Sequence, residues 1–180
     1  MNKITLVICL VCCIKSFCQN NEYIEREGDI TFFSYTSVEN IKAKNTKTLS
    51  IFNAKTGDIA VRILMRAFVF EKSLMHEHFN ESYIETDLYP EATFEGKIEN
   101  YDADSATQTK IAKGTFMLRN IKKPLEFKVN ITTTDDGFIL KGTLEVLIDD
   151  YEIKVPALLS PNISKKIEVA FLFKYVTYEK

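Results

Sequence analysis

The two histidines of this chain stand two residues apart, as His76 and His78, with Glu77 between them and Glu71, Glu81 and Glu85 close by. Imidazole and carboxylate are good ligands for zinc or iron, so this is the first place to look for chemistry. Spacing argues against a metal site on a helix, where positions two apart point about 200° away from each other. On an extended stretch the two rings would share a face. There is no third histidine, however, and no partner of clear ligand spacing elsewhere in the chain. The plainer reading is that both imidazoles hydrogen-bond this segment to the body of the protein. The expectation is no metal ligand.

Other catalytic chemistry is equally thin. Cys9, Cys12, Cys13 and Cys18 are the four cysteines, all near the N-terminus. No nucleophile elbow and no phosphate-cradling glycine loop occurs. A serine–histidine site would have to form around residues 76–78, where no serine stands in an activating context. Glutamates near one another are common on solvated surfaces and do not make a glycosidase pair. The expectation is a protein that is not an enzyme, with no catalytic residue and no cofactor.

The elements around the histidines are more informative. Ile59, Val61, Ile63 and Met65 share one face of an alternating run, and Phe94, Gly96 and Ile98 share one face of another. Phe127, Val129 and Ile131 repeat the pattern. So do Phe138, Leu140, Gly142, Leu144 and Val146, and finally Ile167, Val169, Phe171, Phe173 and Tyr175. Period-two alternation marks strands with one buried face. Thr56-Gly57-Asp58 and Asp135-Asp136-Gly137 are turn signals, the second a hairpin signature. Residues 101–108 read as an exposed polar loop. Pro156, Pro161 and Asn162 mark another loop before the last strand. About eight strands joined by short turns predict an antiparallel barrel or sandwich.

Only residues 70–85 break this rhythm. Leu74, Met75, His78 and Phe79 fall on one side of a short helix, with Ser73 placed to cap it and Glu77 near its first turn. One or two short helices are expected to lie against the barrel. Tyr89-Pro90 predicts an extended lead into the strand at Phe94.

The N-terminus carries a compartment signal. Met1-Asn2-Lys3 is a short positive region, residues 4–14 are almost entirely apolar, and Ser16 and Cys18 are small. This is the pattern of a secretory signal peptide over residues 1–18, cleaved before Gln19, which leaves residues 19–180 as one domain. The apolar run is too short for an ordinary membrane span. Lipoprotein processing is the rival reading, but Phe17 before Cys18 and Val11 before Cys12 fit it poorly. Cleavage would remove every cysteine, and with them any disulfide. Losing Lys3 and Lys15 takes the formal charge from −2 to −4. That balance carries no basic footprint for nucleic acid and no polybasic membrane patch.

Three separated motifs then bear a resemblance. Residues 70–96, FEKSLMHEHFNESYIETDLYPEATFEG, resemble the hallmark of the YceI-like lipid-binding proteins of the bacterial envelope. Lys113-Gly114-Thr115-Phe116-Met117-Leu118-Arg119-Asn120-Ile121-Lys122-Lys123-Pro124-Leu125 is similar to that family's G-x-L-T-I-x-G-V-x-K-x-L segment. Asp149-Asp150-Tyr151-Glu152-Ile153 is similar to its D-Y-x-I element. The motifs occur in the family's order and the likeness spans roughly residues 28–178. Asn120 departs from the glycine usual at its position, which puts a local turn in question.

The resemblance implies an all-β fold: an eight-stranded antiparallel lipocalin-like barrel with a short helical excursion near its mouth. It also implies a long apolar lipid as partner, a polyisoprenoid or an isoprenoid quinone, and a periplasmic or secreted location. A barrel of this size either fills its interior with side chains or leaves room for one ligand. Burying a methylene contributes about 0.8 kcal/mol, so an apolar tube would bind such a tail with little polar help. Candidates for the tube lining are Phe32, Ile63, Met65, Phe68, Phe94, Ile98, Phe116, Leu140, Leu144, Phe171 and Phe173. The alternative for each is ordinary core or exterior packing. For the whole protein the alternative is a closed-barrel structural or interaction protein of the envelope. A homodimer is compatible with either reading.

Overall fold

The computed structural model describes residues 21–157 and 159–178. The expected signal peptide and its cleavage point lie outside the described residues. Nine strands follow in chain order: β1 (Glu22–Ser34), β2 (Ile41–Asn53), β3 (Asp58–Leu64), β4 (Val69–Phe70), β5 (Glu91–Ile98), β6 (Thr107–Leu118), β7 (Ile121–Thr134), β8 (Gly137–Leu147) and β9 (Lys166–Thr177). One α-helix, α1 (Ser73–His78), lies between β4 and β5. All pairings are antiparallel, and the order is β1-β9-β8-β7-β6-β5-β3-β2. Pairing of β1 with β2 closes this row into an eight-stranded barrel. The two-residue β4 sits on β2 outside the closed row.

The alternating runs become the walls. Ile59, Val61, Ile63 and Met65 are all buried, as are Phe94 and Ile98, Val129 and Ile131, and Phe171, Phe173 and Tyr175. Their neighbours in sequence face solvent. One buried face per strand fixes register, because a slip of one residue would turn the apolar set outward.

Antiparallel connection gives the barrel two unlike ends. At one end the links are short: residues 54–57, 99–106 and 135–136. At the other lie residues 35–40, the excursion 65–90, the 119–120 turn and the 148–165 loop. The two-residue turn at Arg119 and Asn120 has both residues at positive φ, 51° and 61°, with Leu118 paired to Ile121. This is the mirror-image turn that matches strand twist, and asparagine is among the few side chains that tolerate it. Asn120 therefore does the work of the expected glycine.

Two local expectations change. Ser73 does not cap α1: it is the first helical residue, Lys72 holds the cap position, and no side-chain cap bond forms. The 101–108 loop ends early, at β6. Gln108 is buried and clamps the loop through Asp102, accepting from its N–H at 3.0 Å and donating to its carbonyl at 2.7 Å. A polar side chain at a strand end can be buried when loop backbone satisfies it.

The short-loop end is packed with aromatic rings. Phe52 lies 5.4 Å from Tyr101, 5.4 Å from Phe138 and 5.7 Å from Tyr175, centroid to centroid. Tyr23 caps Phe138 edge-on at 4.8 Å. Ser50, also buried here, donates to the Ala60 carbonyl at 3.0 Å and stands 2.6 Å from the Tyr175 hydroxyl, which is left to donate to it. Burial pushes the Tyr175 phenol well above its ordinary pKa, although the Ser50 bond opposes the shift.

Candidate functional site

The long-loop end opens into a cavity of about 410 Å³. Its side walls are inward residues of the strand ends: Ile30 and Phe32 on β1, Ile63 on β3, Ala92 on β5, Phe116 and Leu118 on β6, Val146 on β8, and Ile167 and Val169 on β9. The 148–165 loop adds Ile148, Ile153, Val155 and Ile163. The volume falls in the range of small-molecule sites, about 300–1,000 Å³.

The excursion forms a flap over this cavity. Leu74, Met75, His78 and Phe79 all face it, the same four residues that the helical spacing groups on one side. After α1 the chain makes one π-helical turn, Phe79–Tyr83, with Ile84 N–H donating to the Phe79 carbonyl at 2.9 Å. Single π turns are frequent at functional sites. Asn80 stabilises the turn: its amide donates to the His76 carbonyl at 2.8 Å and its side-chain oxygen accepts from Thr86 Oγ1 at 3.0 Å.

Aromatic packing holds the flap to the wall. Phe32 of β1 stacks on Phe79 at 5.6 Å and contacts Phe68 at 5.2 Å and Phe70 at 5.7 Å. Phe70 also meets Phe79 at 5.1 Å and stacks with the His76 ring at 5.8 Å. His76 is thus a packing residue, while His78 faces the cavity and meets Tyr83 edge-on at 6.4 Å. Among the described residues, no three His, Cys, Asp or Glu side chains converge.

Polar groups sit at the rim. Glu39, in the 35–40 loop, pairs with Lys72 at the start of α1, and both border the cavity. Ser34 Oγ accepts from Ser164 N–H at 2.8 Å and ties the 148–165 loop to β1. Tyr83 is partly buried, and that desolvation raises its hydroxyl pKa. Arg119, reaching from the 119–120 turn, pairs with Glu85 at the end of the excursion and donates to the Glu152 carbonyl at 2.7 Å. It also lies over the Tyr89 ring at 5.2 Å.

Of the lining candidates, Phe32, Ile63, Met65, Phe68 and Phe116 border the cavity. Phe94, Ile98, Leu140, Leu144, Phe171 and Phe173 do not. They pack in or against the filled core instead, although Phe94 and Leu144 stand directly opposite the lining residues Phe116 and Val169. Alternation sorts each strand into two faces without reporting register or height along the strand. The contributions of the 148–165 loop went unread because Ile153, Val155 and Ile163 lie in no periodic run.

A closed antiparallel barrel packed at one end and hollow beneath a helical flap at the other belongs to the class of small hollow-barrel binding folds. Within that class the family is plain. The chain belongs to the YceI-like family, whose domain model matches residues 24–175. Solved structures agree on the fold. One is a polyisoprenoid-binding domain from Saccharophagus degradans implicated in plant cell wall breakdown, with TM-score 0.74 and 14% identity over 88% of this chain and 99% of that one. Burkholderia cenocepacia BcnA gives TM-score 0.70 and 12% identity, over 84% and 96% of the two chains. The Campylobacter jejuni YceI protein gives 0.64 and 14%, over 81% and 90%. No curated protein sequence matches the chain. Among the described residues no helix is long and apolar enough to cross a membrane.

Proposed function

We propose that this protein is a non-enzymatic lipid carrier of the bacterial envelope. It holds the apolar tail of an isoprenoid-type lipid, a polyisoprenoid or an isoprenoid quinone, in the cavity under the flap. The observation that carries this reading is the cavity itself, about 410 Å³ of space walled almost wholly by aliphatic and aromatic side chains. Filling it with hydrocarbon removes apolar surface from water on both partners, the dominant favourable contribution to such binding. Polar groups at the rim, Glu39, Lys72, Tyr83 and Asn162, are in position to meet a head group. The polyisoprenoid-binding relative supports the same ligand class. The signal-peptide pattern of residues 1–18 supports export to the periplasm or beyond.

The closed-barrel alternative draws its support from the filled lower half. Native mass spectrometry with solvent extraction, on protein purified from the periplasm of an expressing bacterium, separates the two readings. A bound mass released by solvent and identified as an isoprenoid is the expected result. An apo mass that stays unchanged after incubation with ubiquinone and polyprenols would instead favour the ligand-free barrel.

A further inference from the structure

We infer that this site reads lipid tails by length and that Phe127, with Phe94 and Phe171, forms the floor at which the tail must stop. The inference rests on the lipid-carrier reading and adds a limit to it. Two strands locate the floor by register. On β5, Ala92 borders the cavity and the next inward residue, Phe94, does not; on β9, Val169 borders it and Phe171 does not. Phe127 of β7 spans the gap between them, 5.1 Å from Phe94 and 5.5 Å from Phe171. Phe173 extends the row, 5.3 Å from Phe171.

This row is seated in the barrel wall. A Cβ built on Gly28 would lie 2.5 Å from Phe173 Cδ1, and one built on Gly142 would lie 2.9 Å from Phe171 Cζ. The rings therefore occupy space that any other residue at those inward positions would take. A second layer, Tyr175, Phe52 and Phe138, backs the first. Small rotamer changes in one ring do not open a passage through two packed layers.

Above the floor the cavity is shallow. Its inward residues on β1 run from Ile30 to Ser34, roughly 13 Å along the strand at about 3.3 Å per residue. A short prenyl tail fits that depth. A long polyprenyl chain exceeds it several times over, so only its terminal segment can be buried here.

The test is the affinity of the processed protein for a prenol series (geraniol, farnesol, geranylgeraniol and solanesol), measured by displacement of a fluorescent fatty-acid probe. Affinity should rise steeply at first, by up to about fourfold for each methylene buried, and change by no more than about twofold from geranylgeraniol to solanesol. Phe127→Ala should move that break to longer tails. Phe127→Leu, a milder change that retains much of the packing, should move it in the same direction by less. A steady gain through solanesol, or a break indifferent to both substitutions in variants that melt cooperatively, would overturn the floor. If the wild-type protein bound no prenol of any length, the carrier reading itself would fall, a result distinct from a series without a break.

Discussion

Arg119 and Glu85 form an ion pair that joins the tip of the β6–β7 hairpin to the end of the flap. Both residues are left-handed, at φ 51° and 57°, and so is Glu152, at φ 54°, whose carbonyl Arg119 also binds. Three non-glycine residues in a conformation that costs roughly 1–2 kcal/mol each thus meet at one guanidinium. Strain of this kind persists where the surroundings over-determine it. The Arg119 side chain is only 14% exposed, so the pair is better shielded than the other ion pairs of the surface.

Replacing Arg119 with methionine keeps much of its stem and deletes both bonds. The expected loss is about 1–3 kcal/mol, the range for hydrogen bonds to charged groups plus an unpaired partner. Urea unfolding measures it. Faster amide exchange at residues 79–86 and in the 148–165 loop should accompany it, since both lose their common anchor. A variant with wild-type exchange there would show that Arg119 does not couple the two.

At the same turn, Asn120→Gly should leave stability equal or slightly raised, because glycine accepts φ 61° without cost. Asn120→Val should lose about 1–2 kcal/mol, since a β-branched side chain resists the left-handed region. Thermal melts of the pair check both signs.

Gly28→Ala places a methyl group 2.5 Å from the Phe173 ring. Overpacking of this kind costs typically about 1–3 kcal/mol. The double variant Gly28→Ala with Phe173→Leu should recover part of the loss. Purely additive losses in that cycle would mean the two positions do not share the space.

Tyr175 predicts the alkaline limb of stability. Burial raises its pKa in the folded protein, as it does more mildly for Tyr83, Tyr101 and Tyr151. The folded state therefore binds the phenolic proton more tightly than the unfolded chain. That contribution is complete below the unfolded tyrosine value of about 10 and is lost as pH rises beyond it. The melting temperature should fall above about pH 10, and less steeply in Tyr175→Phe. At neutral pH the same substitution should cost about 1 kcal/mol, because Ser50 keeps its bond to the Ala60 carbonyl.

The sequence alone determined the all-β character, the division of the clearest strands into two alternating faces, and the place of the flap. Those features rest on local rules: alternation in residues 59–65 and 167–175, turn residues at 56–58 and 135–137, and the helical grouping of Leu74, Met75, His78 and Phe79. Asn120 was legible as a turn position, and its competence there follows from its own tolerance of positive φ. Tertiary structure decided where the barrel is hollow. Phe116 and Phe94 have the same alternating signature, yet Phe116 borders the cavity and Phe94 helps to floor it. The two are direct cross-strand partners, so what separates them is ring direction: Phe116 packs against Tyr151 of the long-loop end and Phe94 lies over Gly96 towards Phe127, contacts with other elements that neither strand encodes. The contacts of Arg119 with Glu85 and Glu152, 34 and 33 residues distant in the chain, have the same origin. Closure of the barrel brings three loops to one end, and only there do their charges meet.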